Sequence, residues 1–308
     1  MSQTLGSSPD PFGRFSVTLR GRHFAYLDTG PVAGRGSPVL ALHGHFGRAL
    51  QYAPLAAALA GRHRVVALDQ RGHGHSEHGG DFHPDEYVAD AAALLRHLGL
   101  GPVVVLGHSM GGVVAYRLAA RHPELVRAVI DEEGSAVIGP PVLDITDWPP
   151  LAPSRSALAA AIVARGIPDP AYFMASAVPL ADGRWRLLFD AADMLASQRA
   201  LLGDWWPDWL ASTCPALLLH GTASPLLPTA TAREMAERRP RTTLREFPGA
   251  GHWVHEDDPR GHLDAVRRFL AELDGLAELD GLAELDGLTE PGGLTEPDRL
   301  AEADGAGS

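Results

Sequence analysis

The sequence predicts an α/β fold with a mostly parallel sheet covered by helices on both faces. Three observations carry this. Short apolar runs recur along the chain, at 38–44 (PVLALHG), 63–69 (HRVVALD), 102–109 (PVVVLGHS), 126–132 (VRAVIDE) and 215–221 (PALLLHG). Alanine- and leucine-rich stretches at helical spacing lie between them, such as PDEYVADAAALLRHLGL and GGVVAYRLAARHP. The apolar runs end in glycine-rich or polar turns. Uninterrupted apolar runs of this length suit strands buried on both faces, and strand–helix alternation implies a parallel sheet between helical layers.

Around this frame, FSVTLRG (15–21) and HFAYLDTG (23–30) read as an antiparallel hairpin. Residues 1–13 read as a short disordered leader, without the basic start and apolar stretch of a secretory signal. The core is assigned to 14–134 and 213–270. Residues 135–212 hold helical patches but no convincing strand, and five of the six tryptophans, so they read as an inserted helical cap. From 271 the chain repeats with period six: AELDGL three times, then TEPGGL and TEPDRL. Leucine every six residues drifts off one face of a 3.6-residue helix, and a mid-helix glycine costs about 1 kcal/mol. The segment 271–308 therefore reads as an acidic, mostly disordered repeat tail.

The net charge of −12 is unevenly placed. The tail holds eleven acidic residues and one arginine, leaving 27 acidic and 25 basic residues in 1–270. A near-neutral body offers no electrostatic case for nucleic acid. No window approaches the roughly 18 apolar residues of a membrane span. Every basic residue is arginine, which excludes chemistry that needs lysine. The single cysteine, Cys214, cannot form an internal disulfide and reads as a buried, inert thiol. These features favour the cytoplasm.

Ligands in such sheets bind beyond the carboxyl ends of the strands, and the motifs gather there. GHSMGG (107–112) follows a buried run and opens a helical stretch, the setting of a nucleophile elbow. A tight turn flanked by small residues lifts the Ser109 hydroxyl clear of the backbone. The Met110 amide then faces the reaction centre, where it can hold an oxyanion. LHGHFG (42–47) ends another strand and offers the His45 amide as a second donor. Neither His43 nor His45 has a cysteine cluster or carboxylate at ligand spacing, so no metal is assigned. In LDQRGHGHS, His73 and His75 read as structural turn and surface residues. GAGHWVHEDDP (249–259) presents His252 between a glycine-bearing turn and a helix starting near Asp258. His252 is the candidate base. His255 is the rival, without the preceding turn.

The order of oxyanion loop, elbow, cap and final histidine resembles a capped α/β-hydrolase over roughly 14–270. The resemblance implies an eight-stranded, mostly parallel sheet, a Ser–acid–His triad, and a cofactor-free mechanism through an acyl-enzyme. A serine at 109 sets the chain apart from family members that use an aspartate nucleophile. In this family the acid usually follows the seventh strand as G-x-x-D. Here that stretch is Gly221, Thr222, Ala223 and Ser224. A hydroxyl cannot stabilise an imidazolium as a carboxylate does.

A minority of the family place the acid after the sixth strand, where VIDEEG supplies Asp131, Glu132 and Glu133. Strand alternation sends Asp131 and Glu133 to one side and Glu132 to the other. The acid should stand just past the strand end, which favours Glu133, with Glu132 and then Asp131 as lesser candidates. Ser224 becomes a supporting hydrogen-bond partner. Trp148, Trp185, Trp205 and Trp206 from the cap, with Trp253 beside His252, are the candidate walls of a largely apolar pocket.

The leading expectation is a serine hydrolase for a carboxylic ester or lactone with an apolar portion. Relocation of the acid in lactone-cleaving members of the family tilts it towards lactones. The alternatives are a carbon–carbon bond hydrolase of the β-diketone type and a non-catalytic binding module on the same fold. Members called non-haem haloperoxidases also carry GHSMGG, with peracid chemistry as a side activity.

Overall fold

The computed structural model describes residues 12–287, with side chains through residue 275. The chain divides into two units, Met1–Leu270 and Ala271–Ser308.

The first unit opens with the expected hairpin, β1 (Gly13–Leu19) and β2 (Arg22–Asp28), one residue ahead of the predicted core start. Its register pairs Leu19 with Arg22. The two-residue loop, Arg20 and Gly21, has φ of 52° and 80°. Positive φ at both loop positions matches the right-handed twist of the paired strands. β3 (Val39–Leu42) follows. A 3-10 turn (Ala49–Tyr52) leads into α1 (Ala53–Leu59) and β4 (Val65–Leu68). Then come α2 (Pro84–His97), β5 (Val103–His108), α3 (Met110–Arg121) and β6 (Val126–Glu132). Every residue of β3, β4 and β5 is buried, which is why these strands read as unbroken apolar runs.

The cap follows β6. It contains β7 (Val137–Ile138), α4 (Arg155–Val163), α5 (Ala171–Met174), β8 (Ala177–Pro179), β9 (Trp185–Leu187), α6 (Ala191–Leu201), β10 (Gly203–Asp204) and α7 (Trp206–Ala211). The expectation of no strand there is corrected. β7 pairs with β10 and β8 with β9, in two small antiparallel sheets. Strands of two or three residues are too short to show alternation in sequence. The chain then returns through β11 (Ala216–Gly221), α8 (Thr229–Arg238) and β12 (Thr242–Phe247) to α9 (Val254–Asp257) and α10 (Pro259–Gly287).

The eight-stranded sheet has the order β1-β2-β4-β3-β5-β6-β11-β12. β2 alone runs against the others. β12 closes the far edge with alternating burial; TTLREF carries too little apolar character to stand out as a run. From β3 the chain moves first to β4 on one side and then to β5 on the other. The crevice beyond β3 and β5 is therefore the switch point at which such sheets bind ligands.

Two clusters of core side chains among the described residues bear on the site. One joins the sheet to α2, α3 and α8 through residues such as Leu42, Leu94, Val113 and Leu218. The other lies in the cap, around Trp148, Leu158, Ile162, Phe173, Met174 and Leu187, and takes in Phe46 and Trp253 from the core. Those two aromatic residues dock the cap over the strand ends. No described helix is long and apolar enough to cross a membrane.

In the second unit the expectation of disorder from 271 differs from the structure. α10 continues to Gly287, through two hexapeptide repeats and most of a third. One glycine per six residues weakens this helix without breaking it, and the prolines that must end a helix come later, at 291 and 297. The expectations for 1–11 and 288–308 lie outside the described residues.

Candidate active site

The turn between β5 and α3 places Ser109 at φ 53° and ψ −116°. A non-glycine residue in such a region costs on the order of 1–3 kcal/mol and persists only where its surroundings over-determine it. Here the Ser109 N–H donates to the Glu132 carbonyl at 2.8 Å, and the Ser109 carbonyl accepts from Gly112 and Val113. The flanking glycine is required by space. A Cβ on Gly107 would collide with the Gly111 backbone. Met110 is the first residue of α3, so its N–H has no carbonyl one turn earlier to bond.

The loop after β3 lies against this turn. A Cβ on Gly44 would come within 3.1 Å of the Ser109 Cβ and 2.7 Å of His108 Nδ1. The His45 ring is tied to the cap, with Nε2 2.9 Å from the Ser197 hydroxyl, which also meets the Tyr87 hydroxyl at 2.7 Å. Burial, with His43 and His252 nearby, pushes the His45 ring down to about 3. The ring is therefore neutral. Both His43 nitrogens are engaged, Nδ1 with the Gly44 carbonyl and Nε2 with the Gln70 N–H.

At the end of β6 the backbone turns sharply, with Glu133 at φ 61°. Glu133 leaves the strand there and its carboxylate points to the neighbouring loops. Oε2 lies 3.2 Å from His252 Nδ1. Oε1 accepts from His220 Nδ1 and from the Gly221 N–H, each at 2.8 Å. Burial pushes the Glu133 carboxyl up, but hydrogen bonds from His220, His252 and Ser224 outweigh it and hold the group below the usual carboxylate range. An ionised acceptor at Nδ1 keeps the His252 proton on that nitrogen and leaves Nε2 with a lone pair. The His252 carbonyl accepts from His108 Nε2 at 3.0 Å, which ties the His252 loop to the residue before Ser109.

The three acids separate cleanly. Asp131 is fully buried and accepts the Gly134 N–H. Burial and its two acidic neighbours push its carboxyl well up. Glu132 turns away from His252. Its Oε1 accepts the His255 N–H at 2.9 Å and faces His255 Nδ1 at 2.7 Å. Ser224 closes the turn after β11, its N–H donating to the Gly221 carbonyl, and its hydroxyl accepts from the Leu226 and Leu227 N–H groups and helps to hold the Glu133 carboxyl down.

The tryptophans divide. Trp148, Trp185 and Trp253 belong to the cap cluster, and the Trp253 ring lies 5.1 Å from that of Tyr172. Trp205 and Trp206 do not join them. Arg117 of α3 stacks over Trp205 and Arg238 of α8 over Trp206. These rings lie where α7 returns the chain to the core, so they clamp helices rather than line the crevice. His73 is also corrected. It sits in a loop, but fully buried, with its ring 5.0 Å from that of His43. Cys214 is partly exposed rather than buried, with its sulfur 3.3 Å from the Ser212 hydroxyl.

Sequence reasoning missed His220. Its Nε2 faces the Thr229 hydroxyl at 2.9 Å, so both ring nitrogens are used. The available signal was a histidine ending the fully apolar run ALLL, because a buried polar group needs partners.

The alpha/beta hydrolase family profile matches residues 39–265. The chain is 31% identical over 247 residues to 2-(acetamidomethylene)succinate hydrolase of Mesorhizobium japonicum, covering 77% of this chain and 89% of that protein. It is 30% identical over 253 residues to the sn-1-specific diacylglycerol lipase ABHD11 of Mus musculus, covering 76% and 80%. A crystal structure of E-2-(acetamidomethylene)succinate hydrolase superposes with a TM-score of 0.74 at 28% identity, covering 84% of this chain and 99% of the other. With the eight-stranded sheet and these matches together, the chain belongs to the alpha/beta hydrolase family.

Proposed function

We propose that this hydrolase cleaves a carboxylic ester or lactone with an apolar portion, through an acyl-enzyme on Ser109. The observation that carries the reading is the contact between Glu133 Oε2 and His252 Nδ1 beside a left-handed serine turn. A serine hydroxyl is a weak nucleophile at neutral pH and needs an adjacent base. His252 Nε2 takes the Ser109 proton as Oγ attacks the carbonyl carbon. The His45 and Met110 amides hold the oxyanion that forms. Glu133 stabilises the imidazolium. Collapse of the tetrahedral adduct expels the alcohol, which takes the proton from His252. Water then enters, gives its proton to His252 and releases the acid from Ser109. In a lactone, the expelled alcohol stays attached to the acyl group.

The apolar cluster of Trp148, Phe173, Trp185 and Trp253 supports an apolar acyl or alcohol portion, and similarity to a protein named a diacylglycerol lipase supports ester chemistry. The test is a panel of esters, lactones and β-diketones on wild type and Ser109→Ala, with fluorophosphonate labelling of both. Ester or lactone turnover that disappears with Ser109, together with labelling at Ser109, is the expected result. Turnover of diketones alone would replace the reading with carbon–carbon bond hydrolysis. A folded protein that neither labels nor turns over any substrate would leave a binding module.

A further inference from the structure

Behind the serine turn lies a second constellation that the ester chemistry does not use. His108, Glu132 and His255 each offer one donor atom, and these atoms all lie within 4.8 Å of one another. Glu132 is completely buried and His108 nearly so. His108 and His255 border a cavity of about 290 Å³, lined also by Gln51, Tyr172 and His262. Neither Ser109 nor His252 lines it.

Two features set this cluster apart from an ordinary buried ion pair. Glu132 Oε2 and His262 Nε2 lie 3.2 Å apart as an ion pair, but without good hydrogen-bond geometry. The donor set is also unusual for a core, with two imidazoles and one carboxylate, and a third imidazole behind the carboxylate.

We propose that His108, Glu132 and His255 form a binding site for a divalent first-row transition metal such as zinc, with a fourth position open to the cavity. Three protein ligands with one open position is the pattern of non-structural zinc sites, and two histidines with one carboxylate also suits iron. Donors bound about 2.1 Å from one ion at tetrahedral angles lie roughly 3.4 Å apart. Glu132 Oε1 and His255 Nδ1, now 2.7 Å apart, need to separate by about 0.7 Å, which side-chain rotation supplies. His262 takes the outer role of orienting the carboxylate through Oε2.

The consequence reaches the active site. His108 precedes Ser109, Glu132 precedes Glu133, and His255 lies three residues after His252. An ion here links the three turns that carry the proposed triad, without touching a reacting atom. The site stands whether or not the triad assignment does.

The test is zinc binding by the full chain after chelator treatment, read by calorimetry and metal analysis, with cobalt absorption as the coordination signature. Wild type takes up one zinc per chain and, loaded with cobalt instead, gives the visible bands of a four-coordinate site. His255→Gln loses both. His262→Gln, which leaves the three ligands intact, weakens binding by about 10- to 100-fold, as loss of an outer partner does. Circular dichroism checks that each variant folds; if His255→Gln does not, His262→Gln decides alone. His78→Gln is the control, since His78, Asp190 and Asp193 form the other cluster of donors among the described residues. Wild type that takes up no zinc overturns the proposal. So does binding unchanged by both His255→Gln and His262→Gln, or binding lost with His78→Gln.

Discussion

In the proposed triad, two strand ends, at β6 and β11, share the work of placing the acid. β11 has the expected geometry, a buried run ending in a glycine turn, but presents Ser224 instead of a carboxylate. β6 presents Glu133, turned out of the strand at positive φ. β11 is not idle, because His220 and the Gly221 N–H hydrogen-bond to Glu133, and Ser224 helps to hold its carboxyl below the usual range. In the proposed triad the carboxylate stands on the neighbouring strand, and the strand end without one supplies donors to hold it. Parallel pairing puts Leu219 of β11 beside Glu132 of β6, so the two ends lie side by side and the exchange needs no change in the sheet.

Four changes break or sharpen this comparison, in decreasing order of effect. Glu133→Gln removes the charge that stabilises the imidazolium. It should lower kcat of ester hydrolysis by about 10³- to 10⁴-fold, the scale of losing the acid from a serine triad. The matching Glu132→Gln, if equally damaging while Glu133→Gln is mild, would reverse the assignment. Second, His220→Gln removes a hydrogen bond to a buried charged group, worth about 1.5–3 kcal/mol, and so should cost about 10- to 100-fold in kcat. An unchanged rate would mean that β11 does not help to hold the acid. Third, Ser224→Asp added to Glu133→Gln restores the usual placement. It should recover at least about tenfold of the lost rate, since proton-transfer partners contribute about 10²–10⁴-fold when in place. No recovery would show that β11 can no longer host the acid. Last, Ser224→Ala alone should cost less than about tenfold, because a single hydrogen bond contributes about 1 kcal/mol. Steady-state kinetics on one p-nitrophenyl ester reads all four.

The legibility of the two strand ends also differed. GHSMGG could be read directly, since a tight turn around the serine needs small residues two positions to either side, and the Gly107 contact with Gly111 is the reason. The carboxylate triplet was legible as a place, and the count past the strand end favoured its third member. Alternation put Asp131 and Glu133 on one side, but that rule ends with the strand. The left-handed turn at Glu133, and burial of Asp131 against Gly134, separate the two. His220 was hidden inside an apolar run, and the short cap strands were hidden by their length. The tryptophans looked alike in sequence. Only packing assigned three of those proposed for the pocket to the cap cluster and two to arginines on α3 and α8.

The sequence by itself determined the family, the layered sheet and the order of its motifs, because buried parallel strands and tight glycine-bearing turns constrain residue type locally. The tertiary structure decided which of three adjacent acids meets His252, and that Glu132 meets His255 instead. Those pairings join residues more than a hundred positions apart. They depend on how a turn redirects each side chain after its strand ends, and no local pattern of residue types encodes that direction.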